Sequence, residues 1–223
     1  MRELRLLAKA DKRVRLGHAW IFSNEVDVAK TPLTGFAPGE LARVSDARKN
    51  PVGTAFVNPN ALIGARLLTR DARASIDRKW FVRRLRRALS LRERIYDQPY
   101  YRAAYGESDG LPGLVIDRYG PVLSVQVNAA GMLALREPLI AALDEVFGPA
   151  GILLSNAEST RALEGMVPIA QAIGEVPDEV EILEGDMRLI APLRGGQKTG
   201  YYYDQRDNRA RLRRYVREAR VLD

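Results

Sequence analysis

The sequence predicts an α+β chain with a small barrel-like β module in front, a mixed α+β unit in the middle, and the opening of a nucleotide-binding α/β unit at the end. Three observations carry this reading. The first seventy residues alternate short apolar strands with glycine- and proline-marked bends. Residues 77–96 then carry a helical apolar stripe, and mixed strands and helices follow. The final Val221-Leu222-Asp223 is an apolar run closing on Asp directly after a basic amphipathic stretch. That is the pattern of the first strand of a nucleotide-binding sheet, which a glycine-rich turn should follow.

In chain order, Glu3-Leu4-Arg5-Leu6-Leu7 and Glu40-Leu41-Ala42-Arg43-Val44 alternate as half-buried strands do. Residues 51–57 and 62–69 supply two more strands, with bends at Gly35, Pro38-Gly39, Asn50-Pro51 and Asn58-Pro59. In the helix of residues 77–96, Phe81, Leu85, Ala88, Leu89, Arg92 and Ile95 form the inner stripe, while Arg83, Arg84, Arg86, Arg87 and Arg94 crowd the other faces. Strands at 114–117 and 122–128 suggest a hairpin turning at Arg118-Tyr119-Gly120. Helix is expected over 132–147, regular mainly from Pro138 onward because proline removes an interior donor. A strand at 152–155 precedes a second hairpin, 181–183 with 187–191, across Glu184-Gly185-Asp186. Tyr201-Tyr202-Tyr203 reads as extended, with Asp204 capping a helix over 205–218.

The chain has 223 residues, 46% hydrophobic and 28% charged, which is globular rather than disordered. It has no Cys and a single His, which removes disulfides, a thiolate nucleophile and most zinc or triad chemistry; no metal site is expected. Apolar stretches fall far short of the roughly 18 residues a membrane span needs, so no membrane partner and a cytoplasmic location are expected. The net charge of +7 is unevenly spread: residues 1–75 carry +6, 76–96 carry +6, 97–191 carry −10 and 192–223 carry +5. Positive ends around an acidic middle point to contacts with a polyanion at defined places, with nucleic acid the leading partner.

Two stretches could carry chemistry. Gly195-Gly196-Gln197-Lys198-Thr199-Gly200 combines glycines that permit close backbone approach with polar donors, yet the P-loop spacing fails. Asp204-Gln205-Arg206-Asp207-Asn208-Arg209 then places polar groups at a helix start, suited to capping or to a zwitterionic ligand. Earlier, Arg13, Arg15, His18 and Trp20 mix positive charge with aromatics as RNA-stacking surfaces do, although aromatics two apart also fit a strand core. The Glu107/Asp109 pair reads as turn or capping carboxylates rather than acid–base machinery.

Three motifs resemble a known family. Residues 15–23 (RLGHAWIFS) resemble the opening of a PUA RNA-binding domain. Residues 107–117 (ESDGLPGLVID) and 196–209 (GQKTGYYYDQRDNR) are similar to two signatures of bacterial large-subunit (23S) ribosomal RNA cytosine-C5 methyltransferases with an N-terminal PUA domain. The resemblance spans essentially the whole chain. It implies a β-barrel-like PUA domain over 1–75, a basic connecting helix over 76–96, a central α+β domain over 97–192, and over 193–223 only the beginning of a Rossmann-like methyltransferase domain. It implies S-adenosylmethionine as cofactor of the full-length protein, with Gln197, Lys198, Asp204 and Arg206 as donor-site contacts or supports. The catalytic cysteine is expected beyond Asp223, so no catalytic residue is assigned within the chain, which alone should be inactive and should bind the donor weakly or not at all. Expected RNA contacts are Arg13, Arg15, His18, Trp20, Arg83, Arg84, Arg86 and Arg87; rRNA is the expected partner, and a homodimer is allowed. A non-enzymatic RNA-binding or ribosome-associated module, and a methyltransferase of another specificity, remain open alternatives.

Overall fold

The computed structural model describes residues 1–194, 200–212, 215, 216 and 220. The front of the chain builds a five-stranded mixed sheet. Its strands are β1 (Arg2–Arg5), β2 (Trp20–Ile21), β3 (Glu40–Ser45), β4 (Pro51–Val57) and β5 (Ala65–Thr69), in the order β1-β3-β4-β5-β2. The short helix α1 (Asp11–Arg15) follows β1, which pairs parallel to β3, and the other pairs are antiparallel. The predicted alternation is realised: Leu4, Leu6, Ala42, Val44, Ala55 and Val57 meet in one core, with Ile21 and Val26 closing it. The last strand is shorter than the sequence suggests, because residues 62–64 bend before pairing begins at Ala65.

A second five-stranded sheet has the order β10-β9-β8-β7-β6. It consists of β6 (Tyr100–Tyr105), β7 (Leu114–Tyr119), β8 (Val122–Val127), β9 (Gly151–Ser155) and β10 (Ala170–Gly174). Helices α2 (Arg78–Arg92) and α4 (Arg136–Phe147) pack on each other and on one face of it. Asp77 caps α2 by accepting from the Trp80 amide at 2.9 Å. Phe81, Leu85 and Ala88 are buried as the stripe requires, while Ile95 lies past the helix end and is exposed. Pro138 sits in the first turn of α4, where its missing N–H would be unpaired in any case. Short α3 (Ala130–Ala134) leads into α4, and α5 (Glu158–Glu164) joins β9 to β10.

Two expectations are corrected. Arg118 and Tyr119 belong to β7 rather than to the turn, which is made by Gly120 and Pro121, since Tyr119 is buried and Arg118 donates to Gly120 O at 3.2 Å and Tyr101 OH at 3.1 Å. Tyr201–Tyr203 is not a strand, because Tyr203 opens a 3-10 turn with Asp204 and Gln205. The hairpin β11 (Glu179–Glu184) and β12 (Met187–Pro192) lies against the other face of the second sheet, joined there by Tyr119, Val122 and Tyr203. Helix α6 covers Arg206–Leu212; residues 213, 214, 217 and 218 of the predicted helix, and the predicted strand Val221–Asp223, lie outside the described residues. Among the described residues no helix is long and apolar enough to cross a membrane.

The two large sheets share a core. Phe56 of β4 leaves the first core and inserts among the second core's residues. It fits because Gly131 stands opposite, where a Cβ would overlap the Phe56 ring. Above this contact Glu164, 4% exposed, accepts from Arg66 Nη2 and Asn58 Nδ2, both at 2.8 Å, and from the Ala130 amide at 3.2 Å. Gly131→Ala should therefore cost about 1–3 kcal/mol by overpacking, measured as a lower urea midpoint at unchanged slope. Phe56→Leu in the same chain should recover part of the loss. An unchanged midpoint for Gly131→Ala would show that the junction does not constrain stability.

Candidate nucleic-acid interface and donor-side segment

The two groups of predicted RNA contacts lie on either side of the 3-10 turn Gly106–Asp109. On one side is a cleft of about 310 Å³ with Arg13, His18, Trp20 and Glu107 in its wall. Trp20 is 40% exposed, stands edge-on to Phe22, and donates its indole N–H to Glu107 at 2.5 Å. It is thus a surface aromatic at a sheet edge rather than core. Arg13 is held by Glu25 at 3.0 Å and the Trp20 carbonyl at 3.2 Å, and Arg15 by Asp11 at 2.7 Å and Asp46 at 3.3 Å. Both keep part of their guanidinium in solvent, and His18 is exposed.

On the other side the α2 arginines divide by environment. Arg84 turns inward, stacks on the Trp80 ring at 3.6 Å, and donates to Leu68 O at 2.9 Å and Gly110 O at 3.0 Å. Burial, with Arg83 and Arg87 adding like charge, pushes its pKa down to about 10. Its first role is to tie α2 to the front sheet. Arg86 points away and pairs with Glu145 at 3.1 Å. Arg83 and Arg87 are exposed and form no ion pair among the described residues.

Of the donor-site residues, Gln197 and Lys198 lie outside the described residues. Asp204 and Arg206 are brought to the hairpin β11–β12 and the second sheet by a polar knot around Glu184. That carboxylate is 5% exposed and receives Arg209 Nη2 at 2.6 Å, Arg209 Nε at 2.8 Å and Tyr201 OH at 3.0 Å. Burial alone would raise its pKa, but the hydrogen bonds of Arg209 and Tyr201 and the charges of Arg209 and Arg206 outweigh this and hold it below the ordinary value. Tyr201 is pushed up to about 12 by burial and by the same carboxylate. Arg206 lies 3.5 Å from Glu184, covers the Tyr96 ring at 4.6 Å and donates to the Tyr100 carbonyl. Its guanidinium is thereby committed to holding α6. Tyr203 donates to Arg118 O at 2.8 Å and packs on Tyr119. Asp204 is exposed, and its carboxylate accepts no helix amide among the described residues, so it does not cap as expected. Arg206 lines a cleft of about 340 Å³ with Tyr96, Asp97 and Gln98, and no group of three or more His, Cys, Asp or Glu placed to hold a metal occurs among the described residues.

Fold and sites together define a PUA-like domain joined to an α+β unit, with cationic surface at the join. The PUA-like domain family model matches residues 4–70. Across nearly the whole chain, similarity runs to proteins named Ribosomal RNA large subunit methyltransferase I. The chain is 38% identical to that of Cronobacter sakazakii over 98% of this chain and 56% of the relative, and 37% identical to that of Klebsiella pneumoniae over 98% and 55%. A relative in Pseudoalteromonas atlantica is 34% identical over 96% and 54%. The chain therefore carries a PUA-like domain and is a relative of these methyltransferases, as its motifs implied, while spanning about half their length. In fold it is similar to a Streptococcus mutans protein assigned as a SAM-dependent methyltransferase, with TM-score 0.76, 19% identity and coverage of 95% of this chain and 54% of that one. SMU.776, assigned as a methyltransferase and solved with SAH, gives TM-score 0.78 at 19% identity over 95% and 53%.

Sequence reasoning missed the internal acceptors Glu164 and Glu184, whose partners stand far away along the chain. The only local signal was the excess of acid in residues 97–191. Because the folded carboxyl of Glu184 titrates below its ordinary value of 4.5, its stabilisation is complete above that pH and is lost as pH falls through the lower, folded value. Glu184→Gln should lower unfolding free energy at pH 7 by about 1–3 kcal/mol. It should also flatten the decline of stability below pH 4.5, measured by urea titration across pH. An identical acid slope in the variant would remove Glu184 from the account.

Proposed function

We propose that this chain is the RNA-binding and substrate-positioning part of an S-adenosylmethionine-dependent methyltransferase acting on large-subunit rRNA, at C5 of a cytosine. The observation that carries the reading is the 38% identity to a ribosomal RNA large subunit methyltransferase I over 98% of the chain. The two motifs that resemble cytosine-C5 enzymes support the finer specificity. In this reading residues 1–75 are the PUA-like unit, 76–96 the basic helix, 97–192 the central unit and 193–223 the start of the donor-binding domain. Asp204, exposed and without a helix amide to accept among the described residues, would face the donor in this reading, and Gln197 and Lys198 are carried as donor contacts from the motif alone. Arg206, tied to Glu184 and the Tyr100 carbonyl, supports the start of α6.

S-adenosylmethionine supplies an electrophilic methyl group. C5 methylation also needs a thiolate to attack C6 and make C5 nucleophilic. The 223 residues contain no Cys, so that group must come from chain outside them. What these residues contribute is grip and placement: arginines of the front unit and of α2 meet phosphates, and the Glu184 knot fixes the donor-side segment against the central sheet.

The test uses the whole gene product with labelled S-adenosylmethionine and naked 23S rRNA. The expected result is label recovered as 5-methylcytosine, with none transferred by the 223-residue chain alone. Label in another nucleotide would overturn the C5 assignment, and absence of label would overturn the enzymatic reading. In the whole gene product, Asp204→Ala should weaken donor binding about ten- to a hundredfold by calorimetry, the loss of one hydrogen bond to a charged group. Unchanged binding would make residues 204–209 a connector.

A further inference from the structure

The α2 arginines that lack carboxylate partners do not point at random. Arg83, Arg87 and Arg94 follow one another at intervals of four and seven residues, which puts them on one side of α2 and its exit. With the opposing residues Ser108 and Gly110 of the neighbouring turn they line a cleft of about 610 Å³. Its one carboxylate, Asp109, is already neutralised: Arg92 grips it with both terminal nitrogens at 2.6 and 2.7 Å, and the Tyr105 amide adds a bond at 2.7 Å. Arg84 underlies the cleft, locked on Trp80 and two carbonyls, and adds a further positive charge there.

Neighbouring arginines on the same helix are treated differently. Arg78 and Arg86 share Glu145, at 3.3 and 3.1 Å, away from the cleft. Among the described residues, none of Arg83, Arg87 and Arg94 enters an ion pair. Like charges crowded without counter-ions destabilise a fold unless an external anion arrives. Arg84 holds its proton less firmly chiefly because it is buried, with the like charges of Arg83 and Arg87 adding to this.

We propose that this cleft between α2 and the Gly106–Asp109 turn holds the sugar–phosphate backbone of an RNA strand, with Arg83, Arg87 and Arg94 on successive phosphates. The inference rests on the RNA-binding part of the function proposed above. An elongated row of guanidiniums with the Ser108 hydroxyl opposite suits a phosphodiester chain better than a single small anion. The site also continues: the turn that walls it carries Glu107, whose other side holds Trp20. A strand leaving the cleft across Ser108 therefore reaches the exposed Trp20 ring and His18, where an unpaired base can stack. Phosphate grip and base stacking would then sit on opposite sides of one rigid turn.

The experiment measures binding of a fluorescein-labelled 12-nucleotide single-stranded RNA to the 223-residue chain by anisotropy across a salt series. Replacing Arg83, Arg87 and Arg94 together with Ala should weaken binding at least tenfold near 0.1 M salt. The slope of log K against log salt should shrink by about two, since each phosphate contact on a single strand contributes about 0.7. The Lys version of the same triple variant should keep most of the slope, and Arg78→Ala with Arg86→Ala should leave it unchanged. Thermal melts of all variants report whether the fold survives. Unchanged binding by the Ala variant, or an equal loss in the Arg78/Arg86 control, would overturn the cleft while leaving the methyl-transfer assay on the whole gene product free to stand. Displacement of the RNA by polyglutamate at equal charge concentration would overturn it in favour of an acidic protein partner. No binding by the unaltered chain would overturn it together with the RNA-binding reading.

Discussion

A carboxylate removed from water must find cations and donors or give up its charge, and among the described residues the three most deeply buried are Asp117 at 0%, Glu164 at 4% and Glu184 at 5% exposure. All three belong to the acidic middle. Asp117 accepts from Nε and Nη2 of Arg102, both at 2.9 Å, from the next strand. Glu164 draws in Arg66 from the front sheet, and Glu184 draws in Arg209 and Arg206 from the end of the chain. The basic ends therefore fold onto the acidic centre because its buried charges have nowhere else to go. Removing Arg66 would leave the buried Glu164 without its cation, which is far costlier than an exposed pair is worth.

This constraint sorts the arginines. Those within reach of an acidic residue of the middle are structural: Arg66 and Arg92 inside, Arg86 at the surface, Arg206 and Arg209 at the far end. Those left over, Arg83, Arg87 and Arg94, collect at one cleft, beside a turn that is itself pinned by Trp20, Arg66 and Arg92. A single rigid scaffold thus presents cationic and aromatic surface at fixed separation, and the donor-side segment is fixed to its other end through Glu184 and Tyr203.

Local pattern made most strands and both hairpins legible, while β6 and β10 were not read. The alternation in β3 and the glycine turn before Met187 are short-range signals that tertiary packing only confirms. The stripe on α2 was equally visible because Phe81, Leu85 and Ala88 repeat at helical spacing. The three tyrosines misled for a physical reason. Their strand propensity is real, but Tyr201 is pulled to Glu184 and Tyr203 to Tyr119 and the Arg118 carbonyl, and the backbone bends to serve both. Nor could charge counting distinguish Arg84 from Arg83. Both are helix arginines in one basic run, and only the position of Trp80 and the Leu68 carbonyl shows which one turns inward.

Arginines committed to buried carboxylates hold the fold, and in the proposed function the uncommitted ones hold RNA. Photo-crosslinking 4-thiouridine-labelled 23S rRNA fragments to the chain, followed by peptide mass spectrometry, tests this division most directly. Adducts should concentrate in peptides containing Arg83, Arg87 and Arg94 and in the peptide containing His18 and Trp20, with none at Arg66, Arg102 or Arg209. Adducts spread evenly over all basic peptides, or confined to the committed arginines, would contradict it.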